Sequence, residues 1–225
     1  MIKDIIFDFD GTLTKKGTNV WKKIWAKMGY DVDENSYYKS LFYKYNNKEI
    51  THQDWCDLTC AKFRDRGFTS RDLIEIADKV QLLSNVQDTV KKLHEQGCHL
   101  HIVSGNIAPV IYRVLGDSAK YFDSINANDM HFDENGIIDK IVGTKYDFEG
   151  KARFIENYIK IKRISPQDVL FIGNGGNDKW VYESGCKTLC INPDLDANSD
   201  DRQIWNNLVN EIEDYSVIAD IVREM

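Results

Sequence analysis

Asp8 and Asp10 stand two positions apart in the segment Asp8-Phe9-Asp10-Gly11-Thr12, which ends a β-branched apolar run. Residues i and i+2 of an extended segment point the same way, so both carboxylates can face one site. Two close carboxylates repel. Both stay ionised only with a cation between them, or with the pKa of one raised. A hard divalent cation such as Mg2+ suits oxygen ligands. Gly11 lets the backbone turn closely around whatever binds there.

Three further segments place polar groups where one element gives way to the next. Ser104-Gly105-Asn106 follows the apolar run that ends at Val103 and opens a helical pattern. A hydroxyl with free N–H groups at a helix N-terminus makes an anion site, although a simple Ser N-cap accounts for the same residues. Lys151 begins a helical stretch after Gly150, where an ordinary surface lysine is, in isolation, the commoner explanation. Gly173-Asn174-Gly175-Gly176-Asn177-Asp178 follows another buried apolar run. A glycine-rich strand-to-helix turn carrying an acid suits a cation or a phosphate.

Alternating elements must position these groups. Residues 2–8 form a predicted buried strand. From about residue 14 to 83 the character changes: Trp, Tyr and Lys are frequent, and apolar residues recur at helical spacing, as in Val20, Trp21, Ile24, Trp25 and Met28. Thr51 and Thr69 are candidate N-caps within this set of three or four helices. Most of its aromatic residues are expected in its own core, with Trp21, near the hinge, facing substrate. His52 is expected at the surface, and His99 and His101 as ordinary strand residues.

Beyond residue 84 the pattern predicts a helix at 86–96 closed by Gly97, a strand at 99–103 and a helix at 107–115. A short strand at 122–127 and a β-hairpin over 130–142 come next, then a helix at 150–161 and a strand at 169–172. A helix from Gly175-Gly176 through Ser184, a strand at 188–191 and helices around 202–212 and 216–223 complete the chain, with a solvated acidic loop at 194–201. Such alternation implies an α/β fold: a Rossmann-like, doubly wound parallel sheet covered on both faces. Ligand crevices in such sheets lie beyond the carboxyl ends of the strands. The expected organisation is a core of residues 1–14 and 84–225 and a small helical cap domain of residues 15–83.

Together the four segments resemble the haloacid dehalogenase superfamily of phosphohydrolases, and the resemblance covers the whole chain. The first is close to that family's Asp-x-Asp-Gly-Thr segment. The others are similar to its Ser/Thr motif, its lysine and its Gly-Asp-x-x-Asn-Asp loop, and the insert is similar to the helical cap of the phosphoserine-phosphatase-like branch. The resemblance implies hydrolysis of a small phosphate monoester through an aspartyl phosphate on Asp8, with Asp10 as general acid and base. It implies phosphoryl contacts from Ser104, Gly105, Asn106 and Lys151. It also implies Mg2+ held by Asp8, Asp10, Asn174 and Asp178. At position 174 the family usually carries aspartate, so Asn174 leaves the metal cage one charge short. A metal-impaired phosphate-binding protein, a phosphotransferase and a dehalogenase of the same fold are the alternatives. Phosphoserine is one candidate substrate, another small phosphorylated metabolite a second.

Composition fits this reading. The net charge of −7 over 225 residues offers no general attraction for nucleic acid or anionic membrane. No apolar run approaches the roughly 20 residues of a membrane span. Asp4 interrupts the first apolar run and no small-residue cleavage site follows, so a cytoplasmic protein is expected. The five cysteines lack zinc-site spacing and are expected as reduced thiols.

Overall fold

Ile5, Ile6 and Phe7 expose no surface, and their strand, β1 (Asp4–Phe7), lies in the middle of a seven-stranded sheet. The computed structural model describes residues 2–193 and 204–225; the acidic loop expected at 194–201 lies outside the described residues. β2 (His99–Ile107) and β5 (Val169–Gly173) flank β1 in parallel. β3 (Ser124–Phe132) and an antiparallel edge strand, β4 (Ile138–Val142), continue the sheet beyond β2. β6 (Lys187–Ile191) and β7 (Asn207–Val209) continue it in parallel beyond β5, giving the order β4-β3-β2-β1-β5-β6-β7.

The helices divide into two sets. α1 (Val20–Lys27), α2 (Tyr37–Asn46), α3 (His52–Asp65) and α4 (Ser70–Ala77) make up the insert. α5 (Val86–Glu95), α6 (Ala108–Leu115), α7 (Glu149–Lys162) and α8 (Ser216–Glu224) belong to the alternating part. Side chains of successive strand residues point to opposite faces. Accordingly Ile5, Phe7, Leu100, Ile102, Leu170 and Ile172 pack with Val90 of α5 and Ile218 of α8, while Ile6, Val103, Val169 and Phe171 pack with Ile155 of α7 on the other face. Full burial of each such side chain contributes about 1.5–3 kcal/mol. This is the expected α/β fold.

Four expectations need correction. β2 does not stop at Val103 but runs through Ile107, so Ser104-Gly105-Asn106 lies inside a strand and not at a helix N-terminus. The cause is an irregular ladder: β2 spends three residues between the pairs Val103↔Asn126 and Ile107↔Asn128, where β3 spends one. The short strand and the first hairpin arm are one continuous strand, β3, parallel to β2 in its first half and antiparallel to β4 in its second. The helix after Gly175 is a 3-10 helix, Gly176–Ser184. In place of a helix at 202–212, the described part of that stretch contains β7. Asn206 Oδ1 accepts from Thr188 N at 2.8 Å and Asn206 N donates to Thr188 Oγ1 at 2.9 Å, which pins the segment alongside β6.

The insert enters and leaves the sheet at one point, where Thr14 bridges Leu82 and Leu83 N donates to Leu13 O at 2.9 Å. Reciprocal capping boxes, Thr51 with Asp54 and Thr69 with Asp72, start α3 and α4. Trp25 is fully buried, with the rings of Phe63, Tyr30 and Tyr38 at 5.0, 5.1 and 5.8 Å. The same apolar cluster takes in Val110 of α6 and Met130, Ile138 and Ile141 of the β3–β4 hairpin. The hairpin is thus the floor on which the insert rests, which fixes its helices over the ends of β1 and β2.

Candidate active site

β1 ends in a turn that no ordinary residue at position 11 would allow. Gly11 has φ +75°, and a Cβ there would overlap the side-chain amide of Asn174. The turn brings the Asp8–Asp10 segment against the loop that follows β5. Asp8 is 3 % exposed. Its Oδ1 lies 3.1 Å from Lys151 Nζ, an ion-pair distance, but has no partner in hydrogen-bonding geometry. Lys151 is wholly buried near the start of α7, and its Nζ also lies 2.5 Å from Asp178 Oδ1. Burial alone would lower the lysine's pKa, but the charges of Asp178, Asp8 and Asp147 outweigh it and hold the ammonium well above its ordinary range.

Asp10 accepts 2.7 Å and 3.4 Å hydrogen bonds from Asn106 Nδ2 and Val20 N. Burial, and then the charge of Asp8, push its carboxyl up to about 7 against those two bonds. Asp10 can therefore carry a proton near neutrality, while Asp8 lies beside the ammonium of Lys151.

The structure redistributes the other expected roles. The side chain of Asn106, expected at phosphate, is committed: its amide donates to Asp10 and its oxygen accepts from Ile107 N at 2.6 Å. Asp178, expected at the metal, has Oδ1 on Lys151, while Oδ2 accepts from Asn174 N and Gly175 N at 3.1 and 3.3 Å. Burial pushes its carboxyl up to about 6 against the pull of Lys151. Asp178 orders the loop and anchors the lysine without facing the cavity. Ser104 and Gly105 line the cavity, and Ser104 Oγ accepts from Asn106 N at 3.3 Å.

That cavity, about 310 Å³, lies beyond the carboxyl ends of β1 and β5 and beside the irregular part of β2, between the sheet and the insert. Asp8, Asp10, Ser104 and Asn174 line one end of it. Trp21 lines it as expected, and its Nε1 donates to Gly105 O at 2.7 Å. Tyr38, Phe42, Tyr45, His52, Trp55 and Phe148 line it too; most of the insert's aromatic residues were expected in its own core, where Tyr38 and Trp55 do pack, and His52 was expected at the surface. Helical spacing could not separate them, since a residue facing the cavity and one facing the core share the same stripe. Asp147 was missed altogether; an acid just before a helix reads as a cap. His99 and His101 do not line the cavity: His99 pairs with Asp123, and His101 is buried against Ser124 and Tyr158.

Among the described residues no group of three or more His, Cys, Asp or Glu side chains converges into a metal cage. The side chains nearest to that role are the Asp8 carboxylate and the amide of Asn174, which both line the cavity beside the turn at Gly11. They are hard donors, which suits Mg2+, and they supply a single negative charge.

Residues 2–180 match the family model of haloacid dehalogenase-like hydrolases. A phosphoserine phosphatase of Archaeoglobus fulgidus is 25 % identical over 127 residues, which are 56 % of this chain and 36 % of that protein. The aligned region thus spans little more than a third of that relative's length. Inorganic pyrophosphatase 2 of Arabidopsis thaliana is 25 % identical over 207 residues, 88 % of this chain and 68 % of that protein. Among solved structures, a phospho-aspartyl intermediate analogue of phosphoserine phosphatase superposes with a TM-score of 0.72 at 18 % identity, covering 98 % of this chain and 99 % of the other. A substrate-bound phosphoserine phosphatase gives 0.74 at 16 % identity, covering 99 % of both chains. At those identities the likeness is one of fold.

Proposed function

The chain belongs to the haloacid dehalogenase-like hydrolase family, and we propose that it hydrolyses a small phosphate monoester through an aspartyl phosphate on Asp8. The observation that carries this reading is the pairing of a buried carboxylate beside a buried ammonium, Asp8 with Lys151 at 3.1 Å, with a second carboxyl, Asp10, raised to about 7. One group lies beside a fixed positive charge for attack, and the other is kept able to give a proton.

An Asp8 oxygen attacks phosphorus as the bond from phosphorus to the ester oxygen breaks. The proton of Asp10 passes to the departing alkoxide. Asp10, now ionised, takes a proton from water; the water oxygen bonds phosphorus, the Asp8–phosphorus bond breaks, and inorganic phosphate leaves. Asn106 holds Asp10 in place through both steps. Lys151 and the Ser104 hydroxyl stabilise charge on the transferring group. Mg2+ would be held by Asp8, Asn174 and the main-chain oxygen of Asp10, and when bound would offset negative charge on the phosphoryl oxygens. The insert closes the cavity and selects the leaving group. A cytoplasmic setting accords with small soluble substrates, and no helix among the described residues is long and apolar enough to cross a membrane.

Phosphate release from p-nitrophenyl phosphate and from a panel of metabolite esters, with Mg2+ and with EDTA, tests the reading. Turnover should require Mg2+ and vanish in Asp8→Asn with the fold intact. An Asp8→Asn protein that retained wild-type turnover would exclude the aspartyl phosphate.

A further inference from the structure

The cavity that holds the reacting groups is walled, away from them, by aromatic rings in mutual contact. Trp21 and Trp55 meet edge to face at 4.8 Å, and Tyr45 meets Phe148 likewise at 5.4 Å. The His52 ring joins the two pairs, stacked on Tyr45 at 5.0 Å and tilted against Trp55 at 6.1 Å. Phe148 holds its place at a cost. Its backbone lies at φ +48°, ψ −121°, which a residue with a side chain rarely adopts, and its ring is held by Phe42, Tyr45 and Trp180. Strain of this kind persists where the surrounding structure enforces it, most often at ligand sites.

The charges in the cavity are as one-sided as its walls. Among the described residues lining it, none is lysine or arginine, while three, Asp8, Asp10 and Asp147, are aspartate. Among the described residues, no Lys, Arg or His nitrogen lies within 4.0 Å of the Asp147 carboxylate. Its Oδ1 accepts one hydrogen bond, from Phe148 N at 2.9 Å. Its Oδ2 presses on the irregular part of β2: a Cβ on Gly105 would stand 2.6 Å from it. Gly105 thus makes room for a carboxylate between the phosphoryl end and the aromatic wall.

Three kinds of leaving group can be weighed against this surface. One that carries a carboxylate, as serine does, would bring its anion to a cavity lined by no lysine or arginine and would face Asp147. A neutral apolar one would suit the rings but would strip water from Asp147 and leave it unpaired, which is unfavourable. A cation satisfies both, since π faces attract an ammonium and the carboxylate pairs with it. The small volume favours a short chain between ester oxygen and nitrogen. Resting on the phosphatase reading above, we infer that the substrate is the phosphate monoester of a small amino alcohol with a cationic nitrogen. The ammonium lies against Trp21, Trp55, Tyr45 and Phe148 and pairs with Asp147.

The test compares a charged ester with its neutral isostere. Phosphocholine and 3,3-dimethylbutyl phosphate have the same shape and differ in the charge on one atom. kcat/KM is measured for both, and for phosphoserine, pyrophosphate and p-nitrophenyl phosphate, in the wild type and in Asp147→Asn and Phe148→Leu. The wild type should prefer phosphocholine over the isostere by at least about tenfold, the order expected of cation–π contacts reinforced by an ion pair. Each variant should shrink that ratio toward one. The ratio is unaffected by how much of a variant is folded, because both esters sample the same active fraction. Equal kcat/KM for charged and neutral esters, a ratio unmoved in both variants, or a higher kcat/KM for phosphoserine or pyrophosphate would overturn the inference and leave the phosphatase reading standing. Absence of turnover of every ester, p-nitrophenyl phosphate included, would overturn both.

Discussion

Lys151→Met exposes the electrostatics of the site most directly. The methionine is close in length and unbranched, so α7 keeps a fitting side chain while the charge disappears. The lysine lies 2.5 Å from Asp178 and 3.1 Å from Asp8, all three groups buried. At an effective dielectric constant of about 20 those contacts are worth roughly 7 and 5 kcal/mol before desolvation is counted. Desolvation of each ion offsets much of this, and removing one partner of a buried pair typically costs about 3–5 kcal/mol, because a charge is left behind uncompensated. A domain is stable by only about 5–15 kcal/mol, so the variant should be folded but weak at pH 7.5. The deficit should depend on pH. Burial already pushes the Asp178 carboxyl up to about 6 with the lysine present, and its loss moves that pKa further up. A carboxyl raised in the folded state binds protons more tightly there than in the unfolded chain. Its contribution is therefore favourable at low pH and lost as pH rises through the folded value. Urea unfolding in EDTA at pH 7.5 and pH 5 gives the comparison: a deficit of about 3–5 kcal/mol at the higher pH, clearly smaller at the lower. The same deficit at both would refute the electrostatic reasoning and assign the loss to packing.

Three other substitutions probe the rest of the site. Asn174→Asp should lower the Mg2+ concentration for half-maximal activity by at least about tenfold, since ligand charge helps set affinity for hard cations, and should destabilise the metal-free protein; an unchanged Mg2+ titration would remove position 174 from the metal site. Gly11→Ala forces a side chain into φ +75° and against the Asn174 amide, so thermal unfolding should show a loss of at least about 1–3 kcal/mol, together with weaker Mg2+ dependence. Asp10→Asn should slow alkyl esters by about 10²–10⁴-fold and aryl esters much less, since good leaving groups need little protonation; equal losses in steady-state assays would reassign the general acid.

The corrections share a physical pattern. Asp8-Phe9-Asp10-Gly11-Thr12 was legible because its constraints are local: an apolar strand, a two-residue alternation and a glycine turn. The extension of β2 through Ser104-Gly105-Asn106 was not, because that strand exists only against an irregular partner in β3. β7 is three residues long and is held by the Thr188–Asn206 bonds, so no periodicity within it could announce a strand. Asn106 and Asp178 lie near Asp8 and Asp10, yet their hydrogen-bond partners, Asp10 and Lys151, are 96 and 27 residues away. Which oxygen is free for a ligand is decided by such distant partners.

By itself the sequence determined the α/β alternation, the helical character of the stretch after β1, and the strand-end turn that carries Asp8 and Asp10. Each follows from the order and spacing of residue types, which translate directly into strand alternation, helical stripes and turns. Tertiary structure alone decided that Lys151 is buried between two carboxylates, that Asp10 is desolvated, and that Asp147 faces a wall of rings from α1, α2, α3 and the start of α7. Burial and pairing depend on what the rest of the chain brings within a few ångströms. The insert brings its aromatic side chains there only because its helices rest on the β3–β4 hairpin, more than forty residues further along the chain.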